Sequence, residues 1–214
     1  MEYILFDLDG TVTNPQEGIT NSVKYALEYF GIHIEDNSTL NKYIGPPLRQ
    51  SFMEYAGLSE EQSHIGMMKY REYFGPKGIY ENKVYEGIPE LFEKLKSEGK
   101  KMILATSKPW IYAEIILEKF DLKKYFDFVA GSEMNGVRTN KADVIKYAID
   151  KYNIPINNAV MIGDREHDII GARKNGLMTI GVLYGFGNKG ELKSAGADYI
   201  AESVENLFDL IEKL

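Results

Sequence analysis

The stretch that most constrains this chain is Tyr3-Ile4-Leu5-Phe6-Asp7-Leu8-Asp9-Gly10-Thr11-Val12-Thr13. Residues 3–6 form a short apolar run rich in β-formers, which reads as a buried strand. The run stops at two carboxylates one residue apart. Residues i and i+2 of a strand share a face, so Asp7 and Asp9 are expected to point into the same space. Two like charges at the end of a buried strand are costly unless a cation lies there or one carboxyl keeps its proton. Gly10 allows a sharp turn and a close approach of backbone to a ligand. Alone, the tetrapeptide Asp7-Leu8-Asp9-Gly10 reads equally well as a polar turn ending a strand.

From Gln16 the pattern turns helical. Ile19, Val23, Ala26, Leu27 and Phe30 form one stripe, which Gly31 ends. A short helix is expected over 38–44, then a break at Gly45-Pro46-Pro47. The next helix carries Leu48, Phe52, Tyr55 and Ala56 and closes at Gly57. Ser59-Glu60-Glu61-Gln62 is a capping-box pattern that opens a helix through about Phe74. No strand is expected between Pro15 and Val84. From Tyr85 helices and strands alternate. Helices are expected over 89–97, 109–120, 140–152 and 168–174, with a last one after Ser203. Strands are expected over 101–105, 126–130, 159–162, 178–183 and 197–200.

Such alternation implies an α/β fold with a mainly parallel sheet covered on both faces. Ligands in these folds bind beyond the carboxyl ends of the strands. Asp7 with Asp9, Thr106 with Ser107, and Gly163 with Asp164 all fall at such ends. The expected organisation is a core of residues 1–14 and 85–214. An all-helical domain, 15–84, is inserted directly after the acidic pair and is expected to hang over it as a cap.

Composition excludes several classes. A net charge of −7 without a basic cluster argues against nucleic-acid binding. No apolar run approaches the ~18 residues of a membrane span. The chain enters its first strand without a basic stretch before an apolar one, so no secretory signal is expected. There are no cysteines, hence no disulfides or thiol chemistry, and a cytoplasmic protein is expected.

Asp164 and Asp168 lie four apart in Gly163-Asp164-Arg165-Glu166-His167-Asp168, so a helical turn would bring them to one side. With Asp7 and Asp9 they make four carboxylates near one point, an oxygen-rich set that suits Mg²⁺. Asp168 also has a lesser reading as a helix-start acid. A carboxylate can also attack phosphorus. Phosphoryl transfer then needs a hydroxyl or amide donor and a fixed cation on the phosphate oxygens. Thr106 with the Ser107 amide can be the first and Lys141 the second. Taken singly, the former pair is ordinary turn chemistry and the latter a solvated lysine.

Asp7-Leu8-Asp9-Gly10-Thr11, then Thr106, Lys141, Gly163-Asp164 and Asp168, resemble the four ordered motifs of the haloacid dehalogenase-like hydrolases. The match spans the core, which the resemblance makes Rossmann-like, and the insert resembles the family's small helical cap. The resemblance implies Asp7 as nucleophile and Asp9 as general acid/base. It implies phosphate binding by Thr106, Ser107 and Lys141. Mg²⁺ would be held by Asp7, Asp164 and the backbone carbonyl of Asp9, with Asp168 supporting that site from behind. Dehalogenating members lack an acid two residues after the nucleophile, so Asp9 points to phosphoryl transfer. Overall the chain resembles the phosphoglycolate phosphatase-like branch. Tyr43-Ile44-Gly45-Pro46-Pro47-Leu48-Arg49 and Ser107-Lys108-Pro109 are similar to members called 5′-nucleotidases.

The expected function is therefore a Mg²⁺-dependent phosphatase acting on a small phosphorylated metabolite through an aspartyl-phosphate. Arg49 and Lys108 are candidate substrate contacts, each equally readable as surface. His167 is expected to pack behind the carboxylates, and His33 and His64 to lie at the surface. A sugar phosphomutase of the same fold and a non-enzymatic phospho-receiver are the alternatives. Phosphoglycolate, a nucleoside monophosphate and a sugar phosphate all stay open as the ester, and so does the oligomeric state.

Overall fold

The buried strand at the start of the chain is the centre of the fold. A computed structural model describes all 214 residues. Six strands, β1 (Tyr3–Phe6), β2 (Lys101–Pro109), β3 (Phe126–Ser132), β4 (Ala159–Gly163), β5 (Met178–Val182) and β6 (Tyr199–Ala201), form one sheet in the order β3-β2-β1-β4-β5-β6. Every neighbouring pair is parallel. Strand order reverses at β1, which places the carboxyl ends of β1 and β4 at the crevice where such sheets bind ligands.

The α-helices in chain order are α1 (Gln16–Tyr29), α2 (Leu48–Ala56), α3 (Glu60–Phe74), α4 (Ile88–Ser97), α5 (Trp110–Lys119), α6 (Lys141–Tyr152), α7 (Glu166–Lys174), α8 (Lys189–Ala195) and α9 (Val204–Glu212). The chain divides into two compact units: Met1–Asn14 with Val84–Leu214, and Pro15–Lys83. No helix is long and apolar enough to cross a membrane.

In the first unit, Ile4, Leu5 and Phe6 are fully buried because β1 is covered on both faces. Strand alternation sends Leu5 into a cluster with Ile103, Val144, Ile145, Met161 and Ala172. Phe6 meets Phe92 of α4 edge-on at 5.0 Å, and Phe92 meets Phe126 at 5.2 Å. Two helix starts of this unit are capped as the sequence implies. The Asn140 side chain accepts from the Ala142 N–H, and that of Ser203 accepts from the Asn206 N–H.

The second unit is helical. The Ser59 hydroxyl accepts from the Gln62 N–H at 3.2 Å while the Gln62 side chain accepts from the Ser59 N–H at 2.9 Å, a complete capping box. Gly57 ends α2 in the left-handed conformation, with φ 66°. Residues 37–43 form a 3-10 turn started by Asp36 rather than an α-helix.

The boundaries differ from expectation in informative places. β2 continues past Ala105 to Pro109 through an irregularity, and β3 follows it to Ser132. α7 starts at Glu166, two residues before the expected start. α8 was not expected at all: only Leu192 in it is buried, so the segment shows no apolar stripe.

Phe92 anchors the aromatic face of the sheet. Phe92→Ala should cost about 3–5 kcal/mol of unfolding free energy, read by urea denaturation followed through Trp110 fluorescence. A loss under ~1 kcal/mol would show that this ring cluster does not hold the sheet.

Candidate active site

The site grows from the turn that follows β1. The Asp7 N–H donates to Ile162 O at 2.9 Å, so the sheet pairing carries one residue beyond Phe6 and fixes the Asp7 backbone. The chain then folds back on itself. Val12 N–H and Thr13 N–H both donate to Leu8 O, and Gly10 N–H donates to Thr13 O at 2.7 Å. Gly10 takes φ +86°, and a Cβ there would lie 2.2 Å from Asp164 Oδ2. Glycine is thus required both by the backbone conformation and by the carboxylate beside it.

Asp164 follows β4 and is completely buried. Its Oδ2 accepts from the Phe186 N–H at 2.7 Å, while its Oδ1 is buried without a partner. Asp168 sits in the first turn of α7, where its Oδ2 accepts from the Arg165 N–H at 3.0 Å. Its Oδ1 faces the ammonium of Lys141 at 2.7 Å, and the same ammonium lies 2.6 Å from Asp7 Oδ1. Lys141 also donates to Ala105 O at 3.1 Å. Both contacts are close, buried ion pairs between the ammonium and a carboxylate oxygen.

Carboxylate oxygens of Asp7, Asp164 and Asp168 therefore lie within 4.8 Å of one another, all buried, against one ammonium. The electrostatics follow. Burial, then the charges of Asp168 and Asp7, push the Asp164 carboxyl well above the usual carboxylate range. Burial raises Asp168 as well, against the pull of Lys141. For Lys141, burial works against the charge, but Asp168 and Asp7 outweigh it and hold the ammonium above its ordinary value. Hard oxygen donors, surplus negative charge and the orphaned Asp164 Oδ1 together fit a hard divalent cation such as Mg²⁺.

Asp9 stands apart from this cluster. Its Oδ2 accepts from Lys108 Nζ at 2.5 Å, and burial raises its carboxyl despite that lysine. Lys108 is thus occupied by Asp9, a contact its place in the sequence did not disclose. Thr106 is buried, and its hydroxyl accepts from the Lys108 N–H at 3.2 Å. The Ser107 carbonyl accepts from the Ser132 hydroxyl at 2.8 Å. Arg49 lies in the helical unit, where it pairs with Glu60 at 2.5 Å and stays 46% exposed. His167 is half-buried, and His33 and His64 are exposed.

The loop after β5 carries no charged side chain to mark it in the sequence, yet it supplies the N–H that holds Asp164. A Cβ at Gly185 would lie 2.3 Å from Gly10 O, and one at Gly187 would lie 1.9 Å from Asp164 O. The Tyr184 hydroxyl donates to Thr11 O at 3.1 Å, and its ring meets Tyr85 at 5.1 Å. The available signal was Gly185-Phe186-Gly187 directly after a strand, a glycine pattern of close backbone approach.

A family model described as haloacid dehalogenase-like hydrolase matches residues 4–182. A 5′-nucleotidase of Pseudomonas aeruginosa is 43% identical over 209 residues, covering 98% of this chain and 95% of its own. A tyrosine-protein kinase, PtkA, of Mycobacterium tuberculosis is 32% identical over 186 residues, covering 87% of this chain and 63% of its own. The crystal structure of a predicted phosphatase from Clostridium acetobutylicum superposes with a TM-score of 0.98 at 52% identity, covering 100% of this chain and 99% of that one.

The buried charge of Asp164, raised more by burial and its carboxylate neighbours than Arg165 and the Phe186 N–H lower it, has a stability consequence. A carboxyl raised in the folded state binds its proton more tightly there than when unfolded. Its ionisation therefore costs folding free energy increasingly as pH rises through the interval between the two values. In the absence of divalent cations, Asp164→Asn should raise the melting temperature by at least ~2 °C, the scale of about 1 kcal/mol for a chain of this size. The gain should be larger at about pH 8 than at about pH 5. A lower melting temperature for the variant at both pH values would contradict the charge assignment.

Proposed function

The chain belongs to the haloacid dehalogenase-like hydrolase family and is a phosphatase of phosphate monoesters, and on that premise we propose that Asp7 takes up the phosphoryl group covalently with Mg²⁺ as cofactor. The observation that supports this reading is the buried group of Asp7, Asp164 and Asp168 around Lys141, at the ends of β1 and β4. Asp7 and Asp164 would hold the cation, with the Asp9 carbonyl, and Asp168 would support them. Bound there, Mg²⁺ supplies positive charge that offsets the carboxylates and the phosphate oxygens.

In the first step an Asp7 oxygen bonds to phosphorus as the bond from phosphorus to the leaving oxygen breaks. Asp9 gives that oxygen its proton. In the second step water attacks phosphorus and passes a proton back to Asp9, while the bond to Asp7 breaks and phosphate departs. Burial raises the Asp9 carboxyl, which suits a group that must carry a proton between steps. Lys141 lies 2.6 Å from Asp7 Oδ1, so a phosphoryl group joined to Asp7 would be adjacent to its ammonium. Thr106 and the Ser107 amide are the proposed donors to the other phosphate oxygens.

For the ester, the 43% identity to a 5′-nucleotidase favours a nucleoside 5′-monophosphate, with phosphoglycolate next. A small cytoplasmic metabolite is the class proposed. A panel of phosphate esters, read by phosphate release with Mg²⁺, tests the whole reading. Release should stop in excess chelator, and Asp7→Asn should lose at least ~1,000-fold, since an amide is no nucleophile. Undiminished release under either condition overturns it.

A further inference from the structure

The two oxygens of Asp9 are treated differently. Oδ2 is gripped by Lys108 Nζ at 2.5 Å, while Oδ1 is buried without a partner. The Lys108 and Asp9 side chains are only 6% and 11% exposed, so this is not a solvated surface pair. The site's positive charges also divide their work. Lys141 lies against Asp7 and Asp168, and Lys108 lies against Asp9.

The backbone beneath Lys108 is itself held in place. Pairing of β2 with β3 shifts between Ala105, opposite Ala130, and Pro109, opposite Ser132. Irregularities of this kind re-aim side chains at the ends of strands. Two hydrogen bonds and a glycine fix the stretch. The Lys108 N–H donates to the Thr106 hydroxyl at 3.2 Å, and the Ser132 hydroxyl donates to Ser107 O at 2.8 Å. Gly131 lets the strands close up, since a Cβ there would lie 2.7 Å from both Lys108 O and Trp110 N.

We propose that Lys108 is a positioning residue: it grips Oδ2 of Asp9 so that Oδ1 is the oxygen presented to the leaving group. This rests on the reading of Asp9 as general acid. Lys108 then contributes to breaking the ester bond without touching the substrate. Its effect must grow with the leaving oxygen's need for a proton. A lysine that contacted the phosphate would act on every ester alike.

Two aryl esters of nearly the same shape separate these roles. Nitrophenolate leaves readily without a proton, whereas phenolate needs one. kcat/KM reports the chain of steps through ester cleavage and excludes the later hydrolysis. Lys108→Met should lower kcat/KM on phenyl phosphate by about 10-fold or more and on p-nitrophenyl phosphate by less than about 3-fold, as expected for a misplaced acid. Lys108→Arg should restore part of the loss. In an Asp9→Asn background the Lys108→Met change should add less than about 2-fold on phenyl phosphate, because both act on one proton transfer.

Equal losses on the two esters, or full additivity with Asp9→Asn, would overturn the proposal. If Asp9→Asn alone shows no preference between the esters, the acid role itself fails, and the proposal falls with it. A selective Asp9→Asn beside an unselective Lys108→Met removes the Lys108 role only. Should Lys108→Met not fold, as judged by its melting curve, Lys108→Gln carries the same comparison.

Discussion

One buried ammonium facing two buried carboxylates is the interaction on which the rest of this structure depends. Lys141 meets Asp7 at 2.6 Å and Asp168 at 2.7 Å, and Asp164 adds a third buried carboxylate beside them, with Arg165 the cation that acts on it electrostatically. Well-packed apolar side chains would serve stability as well or better than buried ions. The cluster is therefore an expense that the fold carries, and its position says why. It lies where strand order reverses, at the ends of β1 and β4, the place where a parallel sheet leaves room for a ligand.

Much of the surrounding scaffold exists to let those charges sit together. Gly10, Gly185 and Gly187 bring backbone against Asp164, and any Cβ at these positions would collide with it or with its neighbours. The Phe186 N–H takes one Asp164 oxygen and leaves the other open. Asp9 shows the same division, with Lys108 on one oxygen and nothing on the other. A carboxylate tied at one oxygen is fixed in direction and still has an oxygen to offer. This is how a rigid site is prepared for a ligand before the ligand arrives.

The fold was largely legible because its signals are periodic. β1 reads as a buried strand from Tyr3-Ile4-Leu5-Phe6, and the alternation after Tyr85 implies the parallel sheet that is found. Asp7, Asp164 and Lys141 each stand at the end of a strand or the start of a helix, so topology alone could gather them. Asp168 satisfies both of its readings: one oxygen caps the first turn of α7 and the other meets Lys141. What stayed hidden lacks a periodic signature. The 185–187 stretch acts through two glycines and the Phe186 N–H, which carry no side-chain chemistry to read. Lys108 could not be aimed from sequence, because β2 runs on irregularly past Ala105. Arg49 and Glu60 pair across two helices joined by a left-handed turn at Gly57, a geometry that spacing does not reveal.

The central claim is that Asp7 carries the phosphoryl group, and chemical trapping tests it most directly. The enzyme is mixed with Mg²⁺ and an intact phosphate ester that it hydrolyses, quenched in acid within one turnover, and reduced with borohydride, which converts an aspartyl-phosphate to homoserine. Peptide mass spectrometry then reads the modified position. The account predicts homoserine at position 7 and unmodified aspartate at positions 9, 164 and 168. Homoserine at another of these positions would contradict it, as would its absence from an enzyme quenched in mid-turnover after prompt release of the alcohol.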